Sequence, residues 1–282
     1  MKYLKYFEKN KDYSDRKLTT LKKLNLPKYI DGYFDCRDNK LTSLEFCPEK
    51  VNGYFYCSNN KLTSLEYAPE YVGGTFNCGD NKLLSLKYHP KYVGEDFLCS
   101  NNKLTSLEFG PKTVNNYFSC IINELTSLEF CPEFVGNTFS CSFNKLTSLE
   151  YCPKYLKINF NCDKNKLTSL EYCPEYVGGD FSCSSNKLTS LEFCPEFVGE
   201  KFICHDNPWT KPISYDLIKK HKINIVDLYT VEQKQKFGSY EYQKEFLTET
   251  PEKYKDLEPI GFNDQIKEEF DWLFNAADMG LM

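Results

Sequence analysis

The sequence predicts a repeat solenoid, and three observations predict it. The first is period: Asn39, Asn60, Asn81, Asn102, Asn123, Asn144, Asn165, Asn186 and Asn207 stand 21 residues apart without insertion or deletion, and a period in this range belongs to stacked supersecondary units. The second is completeness, since the columns Phe34 to Phe202 and Cys36 to Cys204 recur in every coil. The third is a leucine pair after each asparagine, Leu41 and Leu44 through Leu188 and Leu191, followed by an aromatic, a proline and an aliphatic residue. One coil reads Phe-x-Cys-x-x-Asn-x-Leu-x-x-Leu-x-aromatic-x-Pro-x-x-Val.

Taken in order, residues 1–16 precede the array, and Tyr3, Leu4, Tyr6 and Phe7 can form an apolar helical stripe suited to an N-terminal cap. Residues 17–208 form the solenoid of about nine coils. Its first coil is irregular: Leu18 lies 18 residues before Cys36 where Leu41 lies 16 before Cys57, so two extra residues around Leu24 and Leu26 are expected to rework that turn. Within a regular coil Phe55 and Cys57, two apart, share the inward face of a strand while Tyr54, Tyr56 and Ser58 face out. Asn60 ends the strand, because its amide can bond free backbone groups of its own and the neighbouring coil. Leu62 and Leu65 return to the core, and Pro69 suits an extended outer segment that needs no ladder donor. Residues 209–282 read as helical, with capping residues at Ser214, Thr230 and Asn263 and an apolar stripe at Ile266, Phe270, Leu273 and Phe274. This region is expected to be either a large C-terminal cap or a small docking module.

The repeat resembles the leucine-rich repeat family, whose signature is L-x-x-L-x-L-x-x-N-x-L-x-x-L, with Phe and Cys taking two of the leucine positions. It departs in one place, Val51 lying four rather than three residues before Phe55, with a Gly/Asn-rich pair between them. The short period and the proline are similar to the bacterial, effector-type subclass, and near-identical Asn-Lys-Leu-Thr-Ser-Leu-Glu arrays occur in large DNA viruses and phages. The resemblance implies a curved solenoid with a parallel β-sheet on its concave face and an extended or turn-built convex side. Some effector-type relatives carry a ubiquitin-ligase domain with a catalytic cysteine after the repeats, but no cysteine follows Cys204 here.

The charge balance is mildly acidic, 40 Asp+Glu against 35 Lys+Arg, which argues against nucleic acid as the main partner. A lysine column (Lys40 to Lys187, broken by Glu124) runs beside a glutamate column (Glu45 to Glu192, broken by Lys87), and the pair is expected to be a self-neutralising solvated edge. Nine of the fourteen cysteines occupy the inward column as small hydrophobes. The other five precede the proline in a slot that also takes Ala68, His89 and Gly110, which suggests partial exposure. Without a Cys-x-x-Cys pair, no metal site is expected, and the thiols are expected reduced in a cytoplasmic setting, the host cytosol for a viral protein. The N-terminus holds no apolar run long enough for a signal peptide or membrane span.

Catalysis is not expected, and no cofactor is called for. Cys204-His205-Asp206 pairs a nucleophile with a base in sequence, but strand neighbours face opposite ways and cannot meet. The informative positions are departures from the repeat. Ile121, Ile122 and Phe143 break a small, polar outward surface, Leu98 and Tyr117 lie alongside, and Tyr54 and Tyr56 add aromatic area further up. These seven are the candidate protein-binding residues, as contact anchors or, on the plainer reading, as drift in a redundant array. The function expected is a monomeric, non-catalytic scaffold presenting its concave face to a protein partner. The alternative is a structural component that self-assembles, for example within a viral particle.

Overall fold

The computed structural model describes residues 9–210 together with Ile213, Leu217, Lys220 and His221. Each coil contributes a short strand that starts at or one residue before its phenylalanine, from Phe34–Asp35 to Phe202–Ile203. With Lys11–Asp12 in front, ten strands stack in chain order into one parallel sheet. The register is that of the sequence period, Phe34 opposite Phe55 and Phe55 opposite Phe76, so like residues meet. The phenylalanine rings consequently stack through the core with centroids 5.0 to 6.1 Å apart. The cysteines two residues on and both leucines of each coil are buried beside them.

The asparagine that ends each strand is bonded on every side. Asn144 Nδ2 donates to Cys120 O of the preceding coil (3.0 Å) and to Cys141 O and Ser142 O of its own (3.0 and 3.2 Å), while its Oδ1 accepts from Leu125 N (3.0 Å). The same set recurs from Asn39 to Asn207. The residue before each asparagine is left-handed, as at Asp38 (φ 58°) and Asn59 (φ 50°), which turns the chain out of the strand.

The outer side differs from expectation. The proline lacks a donor, yet the segment after it builds a second set of parallel ladders. Tyr29–Ile30, Lys50–Val51, Tyr71–Val72 and Tyr92–Val93 form one, Thr113–Val114 and Phe134–Val135 another, and Tyr155–Leu156, Tyr176–Val177 and Phe197–Val198 a third. The donors follow the proline, Glu49 N to Lys28 O at 2.8 Å and Asn52 N to Ile30 O at 3.0 Å. The Gly/Asn pair between the two sides exists because coils approach closely there: a Cβ on Gly73 would stand 2.0 Å from Asn52 O.

At the N-terminal end Lys11–Asp12 extends the inner sheet and Tyr13 packs on Phe34 (centroids 5.9 Å). The helical stripe of Tyr3, Leu4, Tyr6 and Phe7 lies outside the described residues. The irregular first coil takes up its extra residues in a 3-10 turn, Lys22–Leu24, closed by left-handed Asn25 (φ 47°). At the other end Trp209, Ile213 and His221 are buried against the last coil, His221 lying 5.1 Å from the Phe202 ring, and Leu217, Lys220 and His221 are helical. The capping residues Ser214, Thr230 and Asn263 and the stripe Ile266 to Phe274 fall outside the described residues.

All fourteen cysteines are free thiols. In the pre-proline slot Cys47 and Cys194 are half-buried, as are Ala68, His89 and Gly110, in line with the partial exposure expected there, whereas Cys131, Cys152 and Cys173 are buried; the slot lies at the core's edge, which is why other residue types fit. Burial pushes the thiols up, Cys99 and Cys204 to about 12, and raises Cys36 well above its usual range.

Two expectations follow. Asn144→Ala should lower the free energy of unfolding in urea by at least about 2 kcal/mol, because buried amide and carbonyl groups lose their partners. Exposed Asn52→Ala, with one surface bond to Asp31, should change it by less than about 0.5 kcal/mol. The thiols add a pH dependence. Their folded pKa values lie above the unfolded value of about 8.5, so their contribution is whole below that pH and is lost as pH rises past it. Stability measured from pH 8 to 10.5 should therefore fall steeply above about pH 9, and replacing Cys99 by Ala should make the fall shallower.

Candidate functional site

The inner face is built from three outward rows: the residue before each phenylalanine, the one after it, and the one after each cysteine. In its middle this face is a polar floor whose side chains bond one another, the buried Ser184 hydroxyl excepted. Ser100 Oγ and Ser119 Oγ share a bond of 2.6 Å, Ser142 donates to Asn161, and Asp163 accepts from Ser182 Oγ and Ser184 N, both at 2.6 Å. Burial raises the Asp163 carboxyl above its usual range in spite of those donors. Asp96 accepts from Thr75 Oγ1 (3.0 Å) and Tyr117 N (3.1 Å). Such carboxylates are occupied in holding the sheet and are not paired for acid–base work.

The seven candidate residues do not form one patch. Tyr54 and Tyr56 stack at 5.6 Å in the second coil, with Tyr33 at 6.5 Å from Tyr54 and the Arg37 guanidinium 5.5 Å above the Tyr56 ring. Arg37 Nε is also 3.0 Å from buried Asp35. Leu98, Tyr117 and Ile121 are half-buried, and Leu98 is paired with Asn77 on one side and Ser119 on the other. Ile122 and Phe143 are neighbours, but not on the sheet itself. The strands of their coils end at Ser119 and Ser140, so both residues sit in the turn beyond, at the lip of the sheet. They take the left-handed position, φ 54° and 55°, and are 46% and 45% exposed.

Sequence reasoning missed the larger apolar surface, which is on the outer side. Phe46, Tyr67, Tyr88, Phe109, Phe130, Tyr151, Tyr172 and Phe193 all have φ between 61° and 71° and are 46% to 57% exposed. A second row, four residues on, includes Tyr71 and Tyr92 (4.8 Å apart), Tyr155 and Tyr176 (4.6 Å) and Phe197 (4.8 Å from Tyr176). Thirteen of the eighteen large exposed hydrophobics among the described residues belong to these two rows, so the inner face is the less apolar of the two. Clefts open between coils here: one is lined by Phe130, Phe134, Tyr151, Pro153 and Tyr155 with Glu129, Glu133 and Lys154 at the rim. The signal was in the letters. The core column is phenylalanine in every coil, whereas the outer column takes Phe and Tyr in equal number, as a position with water at the ring's edge can.

The lysine and glutamate columns do not pair with one another among the described residues. Their one ion pair, Lys145 to Glu124 at 3.1 Å, lies inside the lysine column where Glu124 interrupts it. Cys204 is buried in the core while His205 is half-exposed and bonds Asp206 (2.9 Å), so the sequence triplet is divided between two faces. The other Cys–His contact, Cys194 Sγ to His221 Nε2 at 3.4 Å, closes the C-terminal end of the core, and burial lowers His221 to about 4. Among the described residues no group of three or more His, Cys, Asp or Glu could hold a metal ion, and no helix is long and apolar enough to cross a membrane.

Neither a protein-family model nor a curated protein sequence matches the chain. Among solved structures it is similar to YopM from Yersinia enterocolitica WA-314, with a TM-score of 0.52 and 21% identity. The match covers 66% of this chain and 39% of that one, so the chain spans well under half of YopM's length. At that identity the likeness is one of fold: the chain is a parallel β-solenoid of the leucine-rich-repeat type, with about nine turns of about 21 residues.

Proposed function

We propose that the chain is a non-catalytic protein-binding scaffold of a reducing cytosol, engaging a protein partner at the lip of its inner sheet in the fifth and sixth coils. One observation carries this reading. Where other coils place Asp38, Asn59, Asp80, Asn101, Lys164, Ser185 or Asp206 in the left-handed turn, these two place the apolar Ile122 and Phe143. A β-branched or bulky residue there is strained by roughly 1–2 kcal/mol. Burial offsets little of that strain, since both side chains are nearly half exposed, with Lys164 Nζ 4.4 Å over the Phe143 ring. Exposed apolar side chains in a turn that the other coils give to polar residues fit retention for contact.

The mechanism is presentation by a rigid frame. Ladders on both sides of the coil fix the spacing of the lip residues, so little ordering entropy is lost on binding. Half-buried Ile121, Leu98 and Tyr117 continue the apolar contact inward, and the polar floor around them carries its own partners, so covering it strands no group. The net charge of −5 and the interrupted lysine column favour a protein over nucleic acid.

Strain and contact can be separated experimentally. Ile122→Asn and Phe143→Asn should each raise the free energy of unfolding by about 1 kcal/mol, by placing the favoured residue in the left-handed turn; a loss of stability would show that these side chains serve the fold. Affinity capture from native lysate should then recover a protein with the wild type that the folded triple variant Ile121→Ser, Ile122→Ser, Phe143→Ser fails to retain. Equal recovery by both would remove the lip as the site.

A further inference from the structure

We propose that the lip at Ile122 and Phe143 is covered in the full chain by the chain's own acidic, aromatic segment 264–282, which a foreign partner must displace. This rests on the lip being a contact site, as proposed above, and names what holds it when no partner is present.

Charge singles out these coils. Asn123 and Asn144 turn into the core, so the residues on either side of them, Ile122 with Glu124 and Phe143 with Lys145, stand out together at the lip. Glu124 and Lys145 pair at 3.1 Å and cancel. Around that pair the lip is cationic. Lys103 stands exposed one coil before, and the seventh coil places Lys164 in the turn and Lys166 just past it, both exposed. Among the described residues none of these three has a carboxylate within ion-pair distance. Nearer the N-terminal end, Asp38 and Asp80 occupy the same turn beside Lys40 and Lys82, so the positive part of the lip is the part that adjoins Phe143.

A fitting occupant interleaves carboxylates with large apolar side chains, and the chain carries one. Residues 209–282 hold 14 Asp+Glu and 10 Lys, of which 264–282 hold five and one. Residues 209–263 are therefore balanced at nine each, and the whole excess of four negative charges falls in 264–282. There Glu268, Glu269 and Asp271 alternate with Phe270, Trp272, Leu273 and Phe274. Composition selects this segment, which lies outside the described residues. Its apolar side chains suit Ile122 and Phe143, and its acids suit the lysines that flank them.

Reach is no obstacle. His221 packs on the last coil, and the lip stands three to four strands before it, roughly 20 Å at about 4.8 Å per strand. The 42 residues from 222 to 263 extend to several times that distance. Attachment keeps the segment at an effective concentration on the order of millimolar, so even a weak contact covers the lip. A foreign partner then binds with its apparent affinity reduced by the covered fraction.

The test is acrylamide quenching of Trp272 in the dilute full chain, each protein being read against its own Trp272→Phe counterpart so that buried Trp209 is subtracted. Trp272 should be quenched about threefold less in the wild type than in Ile122→Ser with Phe143→Ser, at unchanged far-UV circular dichroism. Lys164→Glu with Lys166→Glu should expose it likewise, and adding Glu268→Lys with Glu269→Lys should cover it again. Carbodiimide should join Glu268, Glu269 or Asp271 to Lys103, Lys164 or Lys166 within one chain. Equal quenching in the wild type and the lip variant would overturn the proposal, and cross-links formed only between chains would give the lip to a second copy instead. Lysate capture separates this inference from the scaffold reading, because Phe270→Ser with Trp272→Ser should free the lip and raise recovery of the partner about threefold. A partner captured by a lip that Trp272 never covers would remove the segment alone. A covered lip that captures nothing even when freed would remove the scaffold reading alone.

Discussion

The carboxamide at the end of each inner strand fixes the coil in relation to its neighbour. In Asn144 the same side chain closes its own turn at Cys141 O and reaches back to Cys120 O and Leu125 N, so the turn of one coil is completed by groups of the coil before it. A coil without a neighbour has these groups unmet, each at roughly 1–3 kcal/mol, which is comparable with burying a core side chain at about 2 kcal/mol. Stability is thus a property of adjacent pairs, and the array behaves as a one-dimensional stack. The constant spacing around the strand follows from this; the two extra residues of the first coil are taken up outside it, in the Lys22–Leu24 turn, and leave Asn39 bonded to Leu18 N and Tyr13 O as the other asparagines are to their neighbours.

Columns held by this constraint were legible in the sequence, because in-register stacking demands the same residue in every coil. Phe34 to Phe202, Cys36 to Cys204 and the leucine pairs announced the inner strand and the core, and the surplus around Leu24 announced the reworked first turn that became Lys22–Leu24. The outer ladders were not legible. Proline suggested a segment free of pairing, when the residues after it, Glu49 and Asn52, supply the donors. Nor could sequence show that Ile122 and Phe143 stand beyond the sheet, since strands of two or three residues end sooner than alternation suggests. The exposed aromatic rows were visible as columns but not as surface; the mixture of Phe and Tyr was the cue that separated them from the core.

Hydrogen bonding on both sides gives the two faces different freedoms. The inner face is filled with short polar side chains that bond across coils, as Ser100 with Ser119 and Ser182 with Asp163, so a substitution there strands a neighbour's partner. The outer aromatic rows meet no such requirement, and their side chains can change size or charge without stranding a neighbour's partner, as Lys50 and Thr113 do. At the lip Asn59 bonds Asp38 and Asn101 bonds Asp80 across coils, whereas Ile122 and Phe143 give up that bond and strain their own backbone.

That freedom bears on how a redundant array can be specific at all. Nine near-identical coils offer a partner several equivalent registers, and equivalent registers compete with one another. Only a departure from the repeat can distinguish one register from the next. The departures fall in several coils: Gly110 and Thr113 interrupt the outer surface, Tyr117, Ile121, Ile122 and Phe143 the inner one, and Lys50, Tyr54 and Tyr56 stand nearer the N-terminal end. A contact anchored at Ile122 and Phe143 would therefore have one register, because no other coil puts an apolar residue in that turn.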